Sequence, residues 1–422
     1  MSKPVQTRLF VFADWRGLGG PHLMGTLFAA PSRGKEIFSF QYAQAWLESG
    51  RAPELDPRLR LVEGPQYPSA DHPNFGLFLD SSPDRWGRTL MDRREAQRAR
   101  SGKQLEKRLL QSDYLLGVFD GHRMGALRFK LDEGGPFLDD DRELAAPPWA
   151  RLRELEHASL QLEAGAAEQH KDYGKWLNLL IAPGGSLGGA RPKASVIDER
   201  GNLWIAKFPS RGDEVNSGAW EYIVHRLALK AKIDVAPAQL RRFSGEHDTF
   251  LTKRFDRGRG ERIHFASAMT MLERTDGSGA EDGVSYLDLV DFLIRNGSQV
   301  TRDLEQLWRR IVFNVCVSNV DDHLRNHGFL LMTGGWTLSP AYDVNPSESG
   351  DGLKLNISAN DNAQDLGLAL AVTDVFRLKK QDAERVLQEV VDAVRLWEAT
   401  AGKFVSSKEI SRMRRAFRAV EK

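Results

Sequence analysis

Cysteine is almost missing from this sequence: Cys316 stands alone among 422 residues. A single thiol excludes an intrachain disulfide framework and a four-cysteine zinc site. Its setting in IVFNVCVSNV predicts a buried, unreactive sulfur rather than a nucleophile. Long apolar runs are missing too. No stretch reaches the roughly 18 uninterrupted apolar residues that a membrane crossing needs, and MSKPVQTRLFVFADW lacks the apolar run of a signal peptide. The expectation is a soluble cytoplasmic protein with no membrane partner. Neither sign of charge is in excess: Lys plus Arg number 59 against 58 for Asp plus Glu, a formal net charge of +1. That balance argues against a chain-wide electrostatic footprint for nucleic acid, leaving room only for a local patch. What is present is ordinary for a folded chain, with 41% hydrophobic, 28% charged and 9% aromatic residues, which excludes global disorder. At this length two or three domains are expected.

TRLFVFAD and HLMGTLFAA read as short strands, and FSFQYAQAWLES switches from alternation to a helical pattern, the mixture of a small α+β domain. FGLFLDSSPDRWGRTLMDRREAQRAR reads as a loop opening into a charged helix, with Ser82 or Asp80 as its cap and Pro83 near its first turn. RMGALRFK follows the Asp120-Gly121 turn as a strand. LDEGGPFLDDDRELAAPPW breaks the periodicity and carries the first domain boundary. Beyond it come a helix from Arg151, strands in ARPKASVIDERGNLWIAKFPS, a helix in VNSGAWEYIVHRLALKAKI and strand-like pieces in QLRRFSGEHDTFLTKRFDR. After about residue 264 the pattern is mainly helical, through FASAMTML, SYLDLVDFLIRNG and TRDLEQLWRRIVFNVCVSN. The segments are 1–140, a small α+β domain; 141–258, a mixed lobe with a Gly-rich loop; and 259–422, a helical lobe. A mixed lobe joined to a helical one makes a cleft. The basic tail SSKEISRMRRAFRAVEK reads as a packed or solvated terminal helix.

Two constellations carry chemistry. Lys207 ends the strand pattern LWIAKF. A lone strand lysine is commonly an edge or snorkelling residue, but here GGSLGGARPK precedes it. Glycine-rich backbone approaches anions closely, and a cation on the next strand neutralises phosphate charge. Glu221, in the following helix, is placed to hold that lysine, the arrangement kinases use around nucleotide phosphates. The glycine run matches neither G-x-G-x-x-G nor the Walker pattern and alone reads as an ordinary turn.

The second constellation, NVDDHLRNHGFLL followed by YDVNPS, is the stronger. Asp321 and Asn326 have the five-residue offset of an acid that meets a substrate hydroxyl and an asparagine that binds metal. Asp343 supplies a second ligand at a strand end, and such oxygens suit Mg²⁺ rather than a soft ion. A hairpin in FLLMTGGWTLS holds both acids on one side of the cleft. Asp322 reads as a loop-capping or solvent-facing acid, or as the base if the register slips by one. His323 reads as a structural or orienting residue. His327 lies four residues from His323, but the glutamate of H-E-x-x-H is missing, which argues against zinc-hydrolase chemistry. Arg325 either neutralises phosphate in the transition state or pairs with Asp322. Backbone around Thr252, Lys253 and Arg254, at the crossover between lobes, is placed to face adenine.

Taken in order, FSFQYAQAWL, FGLFLDSSPDRWGR, LLGVFDGHRMGALRF, SLGGARPKA, LWIAKFP, LTKRFDR, NVDDHLRNHGFLL and LSPAYDV resemble the HipA family of serine/threonine kinases, toxins of bacterial type II toxin-antitoxin modules, over roughly residues 9–395. The resemblance implies a two-lobed protein-kinase-like α+β fold with a fused N-terminal domain. It implies ATP and Mg²⁺ as cofactors, with Ser186, Leu187, Gly188, Gly189 and Lys193 in the phosphate loop and Ser186 as an autophosphorylation site whose modification ejects the loop. It implies Lys207 as the ATP-phosphate lysine, Asp321 as the catalytic aspartate, Asn326 and Asp343 as Mg²⁺ ligands, and His323 as the loop histidine. The implied partners are a helix-turn-helix HipB-like antitoxin, operator DNA reached through it, and a translation component such as an aminoacyl-tRNA synthetase as substrate. Arg191 and Pro192 stand where the family often has glutamine and glutamate, and Asp322 where it commonly has glycine, changes that bear on target choice and autophosphorylation.

The favoured expectation is therefore an ATP- and Mg²⁺-dependent protein serine/threonine kinase using Asp321, Lys207, Asn326 and Asp343. The rival from another class is a catalytically silent regulatory protein acting with a DNA-binding antitoxin, against which those four intact residues count. A small-molecule kinase, acting on an aminoglycoside or sugar, shares the chemistry and differs in substrate.

Overall fold

The computed structural model describes residues 6–50, 52–102, 105–138, 146–164, 167–181, 189, 191–243 and 245–421. The chain divides into two compact units, Met1–Arg211 with Asp256–Ala266, and Gly212–Phe255 with Ser267–Lys422. The sequence segments 1–140, 141–258 and 259–422 cut across these units, because the first unit takes back a short stretch of chain after the second has begun. Helix and strand are mixed in both, as expected for an α+β chain.

In the first unit, β1 (Thr7–Ala13), β2 (His22–Ser32), β3 (Lys35–Tyr42) and β4 (Leu127–Lys130) form an antiparallel sheet in the order β3-β2-β1-β4. The β2–β3 hairpin closes over Arg33 and Gly34, with φ of 48° and 78°. Positive φ at both central residues matches the right-handed twist of the flanking strands. Helix α1 (Arg85–Gly102) begins immediately after Asp84, whose Oδ1 accepts from the Gly87 backbone N–H at 2.9 Å. The cap is thus Asp84, not Ser82 or Asp80: Pro83 lies before the helix, so the first orphan amides open beyond it. Helices α2 (Leu152–Leu162) and α3 (Tyr173–Ile181) follow, then the hairpin of β5 (Lys193–Ile197) and β6 (Leu203–Lys207).

The second unit opens with α4 (Ser217–Lys230), capped by Asn216, whose Oδ1 accepts from the Ala219 amide. Asn216 also exchanges hydrogen bonds with Asp248, tying the helix start to the residue before Thr249. A Cβ on Gly218 would meet the Asp248 carbonyl oxygen at 2.1 Å, so this close approach requires glycine. Strands β7 (Ala238–Arg241) and β8 (Thr249–Lys253) pair antiparallel. Helix α5 (Tyr286–Asn296) leads to α6 (Val300–Val317), the spine of this unit. Leu304, Leu307, Trp308, Ile311, Val312 and Val315 recur at helical spacing and are fully buried, each side chain contributing about 1.5–3 kcal/mol of burial. The hairpin β9 (Gly328–Met332) and β10 (Gly335–Leu338) follows, and α7 (Lys380–Val394) comes later in the chain. Cys316 on α6 is buried, and burial pushes its thiol up to about 12, in keeping with an inert sulfur. No described helix is long and apolar enough to cross a membrane.

Candidate active site

Helix α6 ends at Ser318 in a left-handed conformation, φ 50°, and delivers the chain into a tight turn over 321–327. His323 N–H donates to the Asp321 carbonyl at 2.9 Å, Asn326 N–H to the His323 carbonyl at 2.8 Å, and Asn326 Nδ2 to the Asp321 carbonyl at 3.0 Å. These bonds draw the Asp321 backbone onto Asn326, the last residue of a short helical turn over Leu324–Asn326. Asp321 is exposed, whereas Asn326 is buried. The Asn326 Oδ1 is buried and accepts no hydrogen bond from the described residues. An orphaned amide oxygen is costly unless something binds it, and a hard divalent cation fits that need.

Asp322 points the other way. It is 3% exposed, and its Oδ2 accepts from Tyr286 Oη at 2.5 Å, Asn314 Nδ2 at 2.5 Å and His327 Nε2 at 2.9 Å. Asn314 Oδ1 in turn accepts from Asn319 Nδ2 at 3.1 Å. Burial, and then Asp322, raises the Tyr286 hydroxyl well above its ordinary range, so it stays protonated and donates. The reading of Asp322 as a solvent-facing acid is corrected: adjacent residues on this turn point to opposite sides, and the inward one needs donors. His327 serves this carboxylate. A cavity of about 10 Å³, room for one water, lies among Arg310, Asn314, Asp322, Asn326, His327 and Tyr342. Burial lowers the Arg310 guanidinium to about 10 against the pull of Asp234, Asp322 and Asp303, which leaves it cationic beside the buried carboxylate at neutral pH.

The remaining residues are placed as follows. The side chain of Arg325 reaches Asp276 at 3.5 Å rather than Asp322, because Asp322 turns inward. His323 begins the turn in extended backbone, and its Nδ1 is buried with no partner among the described residues. Asp343 has φ 56°, an unfavourable left-handed backbone of the kind concentrated at functional sites. Its neighbours stitch it to the turn: Tyr342 Oη donates to the Arg325 carbonyl at 2.8 Å, and Asn345 N–H to Asn319 Oδ1 at 3.3 Å. Thr252, Lys253 and Arg254 run along the end of β8, with Thr252 opposite Ala238. Phe255, next in sequence, places its ring 5.5 Å from that of Tyr342. The second unit therefore brings together Asp321, His323, Arg325, Asn326 and Asp343, and holds the 252–254 stretch near them through Phe255 and Tyr342.

Glu221 is buried on α4 of the second unit, while Lys207 is buried at the end of β6 in the first. Ser186, Leu187 and Gly188 lie outside the described residues; Gly189 and Lys193 are described. Lys193 is not open to solvent: its Nζ donates to Asp84 Oδ2 at 2.9 Å and to the Gly189 carbonyl at 2.8 Å. Sequence reasoning missed Asp84, Tyr286 and Asn314. Only Asp84 had a local signal, as a cap residue before a helix. Among the described residues no group of three His, Cys, Asp or Glu side chains could hold a metal, so a cation here would rely on Asn326, Asp343 and ligand oxygens, the usual sparse set for Mg²⁺.

Y4mE of Sinorhizobium fredii, provisionally named a kinase, is 30% identical over 148 residues, 33% of this chain and 33% of its own length. A Haemophilus influenzae protein, also provisionally named a kinase, is 27% identical over 180 residues, 38% of this chain and 52% of its own length. The chain thus spans a third of the first relative and about half of the second. A solved chain from the Shewanella oneidensis MR-1 toxin-antitoxin complex of HipA, HipB and operator DNA matches with a TM-score of 0.66 and 16% identity, covering 98% of this chain and 95% of that one. That likeness is one of fold. The family described as the HipA-like C-terminal domain matches residues 185–397, half of the chain, and the protein belongs to it.

Proposed function

We propose that this protein is an ATP- and Mg²⁺-dependent serine/threonine protein kinase. The carrying observation is the turn over 321–327, which presents an exposed carboxylate, Asp321, and a buried, unpartnered amide oxygen, Asn326 Oδ1, from one rigid unit. In the reaction the acceptor hydroxyl oxygen bonds to the γ-phosphorus as the bond from phosphorus to the β,γ-bridging oxygen breaks. The hydroxyl proton passes to Asp321 and ADP leaves. Lys207 holds phosphate oxygens, and backbone at Thr252–Arg254 lines the base. Asn326 and Asp343 would hold Mg²⁺, which when bound offsets charge on the phosphate oxygens. His323 orients the turn, and Arg325 stands beside it as a further cation for the transferred group.

The same reading extends to biology. The protein acts as a toxin that arrests growth by phosphorylating a translation component, such as an aminoacyl-tRNA synthetase, and is silenced by autophosphorylation at Ser186. Its partner is a helix-turn-helix HipB-like antitoxin that carries it to operator DNA. Support comes from membership of the family and from the shared fold. Incubation with γ-labelled ATP and Mg²⁺, followed by mass-spectrometric mapping, tests it: label on Ser186 in wild type and none in Asp321→Ala is expected. Absence of both label and ATP binding in unphosphorylated wild type favours a silent regulatory protein instead.

A further inference from the structure

The β5–β6 register sets two buried lysines against each other: Lys193 is the direct partner of Lys207, and they are 3% and 7% exposed. Directly opposed residues of an antiparallel pair share a face with Cβ atoms about 4.5–5.5 Å apart, where like charges repel. Two ammonium groups buried side by side require a counter-charge. The chain supplies one from far away in sequence. Asp84 Oδ2 pairs with Lys193 Nζ at 2.9 Å, with both side chains 3% exposed.

The grip is double. Asp84 Oδ1 caps α1 through the Gly87 amide at 2.9 Å, while Trp86 Nε1 donates to the Lys193 backbone carbonyl at 3.1 Å. Both ends of Lys193 are thus held by the first residues of one helix. Its ammonium also takes the Gly189 carbonyl, so the downstream end of the glycine-rich segment is tied to the same point. A lysine so engaged is an anchor, and its charge is matched before any ligand arrives.

We propose that Asp84 is a positioning residue for the nucleotide's phosphates: it locks Lys193 as the anchor of Gly189 and cancels its charge, so that Lys207 alone of the pair serves the phosphates. This rests on the kinase reading above. It gives the N-terminal portion of the chain a part in nucleotide binding that runs through Lys193, which then anchors Gly189 instead of touching phosphate.

The test is calorimetric titration of the full chain with adenosine and with Mg·ATP, for wild type, Asp84→Asn, Lys193→Met and the double variant. Adenosine lacks phosphates, so its binding serves as the control for an intact fold. The expected result is unchanged adenosine affinity with at least about tenfold weaker Mg·ATP binding in each single variant, and a double variant no worse than the singles, since both residues act through one clamp. Unchanged or tighter Mg·ATP binding by Asp84→Asn, as a freed phosphate-binding lysine would give, overturns the assignment while leaving the kinase reading in place. Wild type that binds neither ligand overturns both. A second measurement needs no variant: Lys193 in wild type should resist amine acylation with and without Mg·ATP, and ready acylation that Mg·ATP prevents would overturn the anchor role.

Discussion

Removing the Asp322 carboxylate tests the architecture beneath the 321–327 turn. In Asp322→Ala, Tyr286 Oη, Asn314 Nδ2 and His327 Nε2 lose their common acceptor. Each buried donor left unmet costs about 1–3 kcal/mol. The three belong to one network, so their losses do not simply add. Arg310 also loses a nearby carboxylate. Breaking a buried charged cluster on one side typically costs about 3–5 kcal/mol, the loss expected here. Asp322→Asn keeps an acceptor oxygen but not the charge, and charge-assisted hydrogen bonds are roughly twice as strong as neutral ones, so its loss should be about half. Urea unfolding at pH 7, read by tryptophan fluorescence and compared at equal m-value, measures both. An alanine variant within about 1 kcal/mol of wild type, below the cost of even a single modest unmet group, would refute the network.

Two further predictions concern pH and strain. Burial holds the His264 imidazole down at about 3 against the attraction of Asp256, so the unfolded chain takes up its proton first. The contribution is complete above pH 6.5 and declines by about 1.4 kcal/mol per unit as pH falls toward 3; His264→Phe should flatten the urea-midpoint curve between pH 6.5 and 5, and an unchanged slope would contradict the assignment. Asp343 sits at φ 56°, where glycine is preferred by about 1 kcal/mol. Asp343→Gly should therefore melt no lower than wild type while losing phosphotransfer, and a clear fall in melting temperature would show that Asp343 is held for stability instead.

Periodicity made much of the fold legible. TRLFVFA forms a strand and TRDLEQLWRRIVFNVCV a helix, as their patterns suggested, although β1 ends in three consecutive buried residues and α6 is buried on every side from Leu307 to Val317. The five-residue offset of Asp321 and Asn326 likewise identified the two ends of a turn that the structure draws together. What was hidden depends on direction and distance. Asp321 and Asp322 are chemically identical in sequence, and only the backbone path of the turn sends one outward and the other onto Tyr286 and His327. The ion pair of Lys193 with Asp84 was equally hidden, because the two residues lie 109 positions apart. The positive φ of Asp343 has no local signature, since nothing around it in AYDVNPS demands a left-handed residue.

In the proposed kinase Asp321 serves the reacting hydroxyl and not the nucleotide. Single-turnover phosphotransfer and equilibrium Mg·ATP affinity, measured side by side for wild type and Asp321→Asn, separate the two roles. Transfer should fall by about 100-fold or more with nucleotide affinity essentially unchanged. Parallel losses in both, or transfer that survives the substitution, would contradict it.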